Sequence, residues 1–565
     1  MTLQQKIGQM LVFGWTGETR EEETTVNDHA REIVQEMEVG GVVLLGRNVA
    51  DDLAITAATL SELQALSREP LFVIADQEGG MVARFVAGVT VFPSNMALGA
   101  TRDASLAYKA AAITAKELLA IGVNYNFAPC VDVNNNPNNP IIGTRSYGES
   151  PELCARFAEQ AVRGYQEHGM IACAKHFPGH GDTAADSHLT LPTIPHEQER
   201  LNEVELVPFK AAIKAGVGSI MTTHILFPAL DPDRPSTLSP RIISGLLRNE
   251  LGFDGVVVTD CMEMKAIADN WGTPEAAVMA IEAGVDLVLV CHTRSTQQET
   301  REAILKAVVD GRIPESRLDE SIRRIRALKE RFKLNARRQT GRECSITSIS
   351  DPAARSLFED KQRQYLLSVL RNPDHLAAQR EIAERSITVV RDDGVIPISP
   401  DKKILVVGLH STVALLAEAI REHAADVECL KLENEEGEGG LARAVEAAES
   451  ANIVVVPVCP PEPWRAPVDQ ELQARLVKTL AESSGRNQAC CAIVLVAVRE
   501  PYILGQFSGI GTQICTYGYR EGMLEAAAAV MFGRVKPSGI LPISIPEAAD
   551  APIRQAPSGE IEQYF

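Results

Sequence analysis

Over roughly its first 330 residues the chain repeats one pattern: a short apolar run rich in β-formers, a polar loop, then a longer stretch with helical periodicity. The apolar runs are Gly41–Leu45, Leu71–Ala75, Val123–Phe127, Met170–Ala174, Ser219–Thr222, Gly255–Thr259 and Val285–Val290. Helical stretches lie between them, among them Ser105–Ile121, Glu152–His168, Leu201–Ala215 and Pro274–Ala283. Strands alternating with helices predict a parallel sheet whose crossovers cover both faces. Seven or eight such units suit an α/β fold of the (β/α)8 TIM-type barrel kind, with a doubly wound open sheet as the alternative. The residues at the C-terminal ends of the runs favour the barrel. Asp76-Gln77-Glu78 comes after the second run, Lys175-His176 after the fourth, Thr223-His224 after the fifth, Asp260 after the sixth and Cys291-His292 after the seventh. A barrel gathers polar strand ends of this kind around one pocket, whereas an open sheet uses a crevice fed by fewer strands.

The pattern breaks after Phe332. The stretch 333–350 is basic, rich in Ser and Thr and without periodicity, which predicts a linker. Helices are expected at Asp351–Leu370 and His375–Glu384. A second α/β pattern comes next, with strands at Ser386–Val390, Lys403–Val407, Ile453–Val458 and Ala492–Val498 and helices at Thr412–Glu422 and Leu441–Ala448. It predicts a parallel or mixed sheet flanked by helices. Asn434–Gly440, rich in Glu and Gly, reads as a solvated loop, and no glycine-rich nucleotide-binding spacing occurs.

Composition narrows the function classes. At 565 residues the chain exceeds one ordinary domain, and its 45% apolar and 23% charged content is that of a soluble globular protein. Lys and Arg number 55 against 75 Asp and Glu, a net charge of −20, which argues against nucleic acid or an anionic membrane as the main partner. The opening Met1-Thr2-Leu3-Gln4-Gln5-Lys6 has no basic segment leading into a long apolar core, and no run approaches the ~20 apolar residues of a membrane span. The 11 cysteines are scattered and none has Cys-x-x-Cys spacing, so reduced buried thiols are expected rather than a disulfide framework. A cytoplasmic location is the corresponding expectation. The oligomeric state is not indicated.

The densest candidate chemistry is Ala174–Leu189, which holds one Lys, three His and two Asp in a span that reads as too polar for core. Loops set on a rigid scaffold are where binding and catalytic groups concentrate. Asp186 and His188 stand two residues apart, so an extended backbone puts them on one face. A carboxylate there orients the imidazole and raises its basicity, which makes His188 a candidate proton-transfer group. Asp260, ending a buried run, is either a nucleophile at the pocket rim or the N-cap of a helix over Met262–Ala268. Asp76 either accepts hydrogen bonds from a polyhydroxylated ligand or caps a turn at Glu78-Gly79-Gly80. Lys175, His176 and Arg145 are candidate hydroxyl-binding groups, Arg145 having a surface or structural salt bridge as its alternative. Arg145 lies beyond Asn134–Pro140, a segment expected to be turn-forming and exposed. Zinc on His176, His180 and His188 is disfavoured, because Pro178-Gly179 interrupts the helix that His-x-x-x-His ligation uses. No metal or cofactor is expected.

Together these motifs resemble family 3 glycoside hydrolases, specifically the β-N-acetylglucosaminidase branch in its two-domain form. The matching pieces are Asp76-Gln77-Glu78-Gly79-Gly80, Arg145-Ser146-Tyr147-Gly148, the Lys175–His188 stretch, Thr259-Asp260-Cys261-Met262-Glu263-Met264 and, late in the chain, Pro537-Ser538-Gly539-Ile540-Leu541-Pro542. The resemblance covers nearly the whole chain. It implies a (β/α)8 catalytic barrel over 1–335, a linker and connecting helix over 336–371, and an α/β sandwich domain over 372–565. It further implies an exo-acting, retaining β-N-acetylglucosaminidase working by double displacement. Asp260 is then the nucleophile, His188 the acid/base oriented by Asp186, and Asp76, Arg145, Lys175 and His176 the groups holding the terminal sugar. The implied ligand is an oligosaccharide or muropeptide ending in N-acetylglucosamine. The β-glucosidase branch takes its acid/base from a Glu of the second domain and lacks the Asp-x-His pair, so Asp186-Ser187-His188 favours N-acetylglucosamine. A phosphorylase using phosphate in place of water, a β-glucosidase, and a non-catalytic sugar-binding protein on the same scaffold are the alternatives. Arg499-Glu500-Pro501-Tyr502 is expected to be structural.

Overall fold

The computed structural model describes residues 1–336, 352–461, 468–486 and 491–546. Most of the expected linker, 337–351, lies outside the described residues.

Eight parallel strands close into a barrel: β1 (Leu11–Phe13), β2 (Gly41–Leu44), β3 (Phe72–Ala75), β4 (Tyr125–Asn126), β5 (Ile171–Phe177), β6 (Ser219–Thr222), β7 (Val256–Cys261) and β8 (Leu287–Val290). Sequence neighbours pair around the ring, and β1 closes it by pairing Val12 with Gly41 of β2 and with Leu289 of β8. The open-sheet alternative is thereby excluded. Seven strands coincide with the apolar runs. The eighth, β1, is only three residues long and continues directly from the helix Leu3–Gln9, so it has no periodicity of its own. The expected helix Leu201–Ala215 is two helices, Gln198–Glu203 and Leu206–Lys214. Pro208 lies in the first turn of the second, where its missing N–H costs no helical bond; in a continuous helix it would sit in the interior.

The second domain is a six-stranded sheet of β9 (Thr388–Arg391), β10 (Ile404–Gly408), β11 (Val427–Lys431), β12 (Ile453–Val458), β13 (Ala492–Ala497) and β14 (Thr512–Cys515), in the order β9-β14-β13-β12-β10-β11. Only β9 is antiparallel. Strands β11 and β14 are absent from the sequence expectation. β11 is an edge strand that carries two charged side chains in five residues and is nowhere fully buried, so it shows no apolar run. The Glu- and Gly-rich stretch Asn434–Gly440 is not a loop: it forms a 3-10 turn at Asn434–Glu436 and opens the helix Gly437–Glu449.

The helix Pro373–Ser386 joins the two cores, with Ala378 and Ile382 in the barrel's cluster and Ala383 in that of the second domain. From the barrel side, Met96, Ala97 and Ala100 insert into the second core. Polar contacts complete the seam: Asn134 Nδ2 donates to Tyr502 Oη (2.9 Å), Ser94 Oγ to the Tyr517 carbonyl (2.8 Å) and Arg520 Nε to the Gly80 carbonyl (2.8 Å). No helix among the described residues is long and apolar enough to cross a membrane.

Candidate active site

Strand ends β3, β5, β7 and β8 deliver polar side chains to the C-terminal mouth of the barrel, the face where barrel enzymes place their chemistry. A cavity of about 70 Å³ lies there, and Asp76, Arg145, Lys175, His176, His188 and Asp260 all line it. Asp186 stands behind His188. The structure thus brings together every residue singled out from the sequence as a candidate.

One wall is a buried charge network. Lys175 Nζ donates to Asp76 Oδ1 (2.6 Å) and bridges to Glu78 Oε1 (2.7 Å). Arg145 clamps Glu78 with Nε to Oε2 (3.0 Å) and Nη2 to Oε1 (2.8 Å), and Nη2 also donates to His176 Nε2 (3.2 Å). Arg84 Nη2 reaches Asp76 Oδ2 (3.2 Å). Burial works against the Asp76 carboxylate, but Lys175 and Arg84 overcome it and hold the group well below the usual carboxylate range. Burial is likewise outweighed at Glu78, where Arg145 and Lys175 bring the carboxyl down to about 2. The carboxylates in turn raise Lys175 and Arg145 against the opposing pull of burial. All four stay charged, a balanced set in which each ion has a direct partner. The segment feeding this wall turns sharply at Gly79-Gly80. Gly80 has φ +58, and a Cβ there would lie 2.7 Å from that of Ser94.

Behind the network, His176 Nδ1 donates to Asp132 Oδ2 (2.7 Å), and the His180 amide donates to Asp132 Oδ1 (2.7 Å). Asp132 therefore fixes His176 as the Nδ1–H tautomer, with Nε2 accepting from Arg145. Burial pushes the Asp132 carboxyl up, yet His176 and the His180 group hold it low.

The opposite wall carries Asp260, inside β7 and immediately before its last residue. Asp260 Oδ1 accepts from the Cys261 amide (2.8 Å). Burial raises its carboxyl, but His176, His224 and His188 together with that amide prevail, so it stays ionised. The N-cap alternative is excluded. The strand runs on to Cys261, and the next helix, Lys265–Trp271, is preceded by Met264. His188 meets Asp186 twice, its amide and Nδ1 both donating to Oδ1 at 2.9 and 2.7 Å. Burial opposes ionisation of Asp186 and His188 restores it. With Nδ1–H committed to Asp186, the basic nitrogen of His188 is Nε2.

Several expectations change. Lys175 and His176 belong to β5 rather than to a loop, and Lys175, His176, His180, Asp186 and Ser187 are all buried. Polarity did not keep this span out of the interior, because each charge has a partner there. Asn134 and Asn139 are fully buried too, Asn139 Nδ2 holding the His180 and Gly181 carbonyls (2.8 and 2.9 Å). Asp76 binds Lys175 and Arg84 instead of capping a turn. Arg145 does form a structural salt bridge, but a buried one inside the cavity wall. His176, His180 and His188 do not converge on one ion: their ring nitrogens go to Asp132 and Arg145, to Ser187 and Thr183, and to Asp186 respectively. Glu78, Arg84 and Asp132 escape the sequence reading. Glu78 has a signal, its place in Asp76-Gln77-Glu78, whereas nothing in the spacing marks Asp132.

The second domain contributes a buried clamp. Arg499 Nε and Nη2 donate to Glu500 Oε2 and Oε1 (2.8 and 2.7 Å), and Glu500 packs on Gly143, two residues from Arg145. Glu500 thus supports the Arg145 loop and does not line the cavity.

Comparisons with known proteins bear on this arrangement. Residues 2–328 match the glycosyl hydrolase family 3 N-terminal domain. The chain is 29% identical to the β-hexosaminidase A of Pseudoalteromonas piscicida, over 96% of this chain and 97% of that protein. It is 31% identical to a β-N-acetylglucosaminidase/β-glucosidase of Cellulomonas fimi, over 90% of this chain and 88% of that one. Among solved structures, a glycoside hydrolase family 3 β-N-acetylglucosaminidase from a Paenibacillus species superposes with a TM-score of 0.84 at 38% identity, covering 96% of this chain and 99% of the other.

Proposed function

The chain belongs to glycosyl hydrolase family 3, and from that premise we propose that it is an exo-acting, retaining β-N-acetylglucosaminidase. The observation that carries the reading is the pairing, across one cavity, of an ionised Asp260 with a His188 oriented by Asp186.

In the first step Asp260 attacks the anomeric carbon. The imidazolium of His188 delivers its Nε2 proton to the departing glycosidic oxygen, leaving a glycosyl-enzyme ester. In the second step neutral His188 takes a proton from water, which displaces Asp260 and restores the β configuration. The buried Asp186 carboxylate stabilises the imidazolium each time it forms, the part that a second carboxylate's own charge plays in other retaining enzymes. Asp76, Lys175, Arg145 and His176 hold the hydroxyls of the terminal sugar. Lys175 has two of its three protons on Asp76 and Glu78, so one remains for a hydroxyl. Arg145 exchanges its bond to His176 Nε2 for a sugar oxygen. In the proposed cycle the segment between Pro178 and His188 closes over the bound sugar and brings His188 to the glycosidic oxygen.

The substrate class is an oligosaccharide or muropeptide ending in N-acetylglucosamine. A cytoplasmic location fits the nine described cysteines, all of them free thiols. β-Glucosidase activity is a second reading, favoured by the double name of the Cellulomonas fimi relative. Turnover of aryl N-acetyl-β-glucosaminide and aryl β-glucoside, each with and without phosphate, tests these readings. The proposal expects hydrolysis of the first at the higher kcat/KM. No turnover of it under either condition defeats the N-acetylglucosaminidase reading, turnover of neither glycoside defeats the enzyme reading, and a glycosyl phosphate product makes the protein a phosphorylase.

A further inference from the structure

Beside the nucleophile lies a group of side chains that the double displacement does not use. Cys261 is the last residue of β7, Cys291 comes directly after β8, and His292 is next in the chain. Cys261 is in register with Leu289, so Cys291, two residues beyond Leu289 and just past the end of β8, reaches the same barrel mouth. The two Sγ atoms and a ring nitrogen of His292 all lie within 4.8 Å of one another, and all three residues line the cavity that holds Asp260. Neighbouring groups hold the three in place. Glu263 accepts from the His292 and Thr293 amides (2.7 and 3.0 Å), and Arg47 donates to the Cys291 carbonyl (3.0 Å) and to His292 Nδ1 (3.3 Å).

We propose that Cys261, Cys291 and His292 form an inhibitory site for a thiophilic divalent cation of the zinc class. Two sulfurs and an imidazole are the donor set that selects zinc among common divalent ions. Zinc–ligand bonds of about 2.3 Å to sulfur and about 2.0–2.1 Å to nitrogen put tetrahedral ligand atoms roughly 3.5–3.8 Å apart. The spacing in the structure therefore closes by at most about 1.3 Å, within the reach of side-chain rotation. On binding, each thiol releases its proton to solvent, and a water or substrate oxygen fills the fourth position. Arg47 donates into Nδ1, which leaves that lone pair ready for the ion once the guanidinium swings off, while its other nitrogen stays on the Cys291 carbonyl. The bound ion sits in the same cavity as Asp260. Its charge stabilises the carboxylate against attack on the sugar and obstructs sugar entry. The other group of metal-ligand types among the described residues, Cys130, Asp132 and His176, is fully buried, and Asp132 and His176 already bond each other, so the same reasoning does not extend to it.

Binding stands on the geometry alone, whereas inhibition rests on Asp260 being the nucleophile, so the test reads both. The full-length protein is titrated with Co²⁺, and the expected result is one equivalent bound, with thiolate-to-cobalt charge-transfer absorption and the visible bands of a tetrahedral site. Hydrolysis of the aryl N-acetylglucosaminide should fall with added Zn²⁺ and recover with EDTA. In Cys261→Ala and His292→Asn, each compared with its own metal-free rate, the Zn²⁺ needed for half inhibition should rise about tenfold or more. Absence of the thiolate–cobalt band, or undiminished zinc sensitivity in both variants, overturns the proposal. A protein that binds cobalt through thiolates yet turns over no aryl glycoside keeps the site and refutes only the enzymatic reading.

Discussion

Replacing Asp186 by Asn separates proton transfer from every other part of the proposed reaction. The substitution keeps the size of the side chain and an oxygen for the His188 amide, and it removes the charge facing Nδ1 at 2.7 Å. A hydrogen bond to a charged partner is worth ~1.5–3 kcal/mol, and the imidazolium needs it most. At about 1.36 kcal/mol per tenfold in rate, the loss amounts to about 10- to 100-fold in the step that protonates the leaving group. The assay is kcat/KM across aryl N-acetyl-β-glucosaminides of graded leaving-group acidity. Phenols that depart as poor anions should show the full loss, and strongly acidic phenols, which need no proton, almost none. Asp186→Asn should therefore steepen the dependence on leaving-group acidity. A uniform loss across the series would refute the acid role of the pair and reassign Asp186 to holding the loop.

Glu78→Gln leaves Lys175 and Arg145 buried with one carboxylate fewer, a situation that costs about 3–5 kcal/mol. Calorimetry should show a clear drop in Tm, and an unchanged Tm would mean that the network contributes nothing. Glu78 and Asp76 both have native carboxyls held below their values in the unfolded chain. The stabilisation from Glu78 is therefore complete above its ordinary value of 4.5 and disappears as the pH falls toward about 2, and that from Asp76 is lost only at lower pH still. The denaturant midpoint should fall steeply over that window in the wild type and less in Glu78→Gln; parallel curves would contradict this. Gly143→Val meets two obstacles, a φ of +44 and a Cβ position 2.3 Å from Glu500 Oε1. It should push Glu500 off its seat and speed proteolytic cleavage at the domain seam, and a wild-type digestion rate would show the clamp to be dispensable.

The barrel was legible because seven of its strands lie in short, largely apolar runs and five of those runs lead into polar or titratable residues, a pattern that survives without any contact information. β1 was not, because three residues carry no periodicity; β11 was not, because an edge strand keeps polar side chains. In the site, Asp186 and His188 were readable from a spacing of two, and Asp260 from its place at a strand end. What sequence could not show is partnership across the barrel. Lys175 looked like a loop cation until Asp76 and Glu78, about a hundred residues earlier in the chain, closed on it at 2.6 and 2.7 Å. Asp132 carries two histidine-bearing segments and has no local mark at all. The thiols of Cys261 and Cys291, thirty residues apart and without a metal-binding spacing, became neighbours only when β7 and β8 paired.

Every step of the proposed reaction depends on Asp260 bonding to the sugar. Acid-quenching the enzyme during turnover of an activated aryl N-acetyl-β-glucosaminide, then mapping its peptides by mass spectrometry, addresses that point directly. An N-acetylhexosamine adduct on Asp260, absent from Asp260→Ala and matched by release of the β-anomer of the sugar, is the predicted result. An adduct on another residue, or an α-anomer released without any adduct, would contradict it.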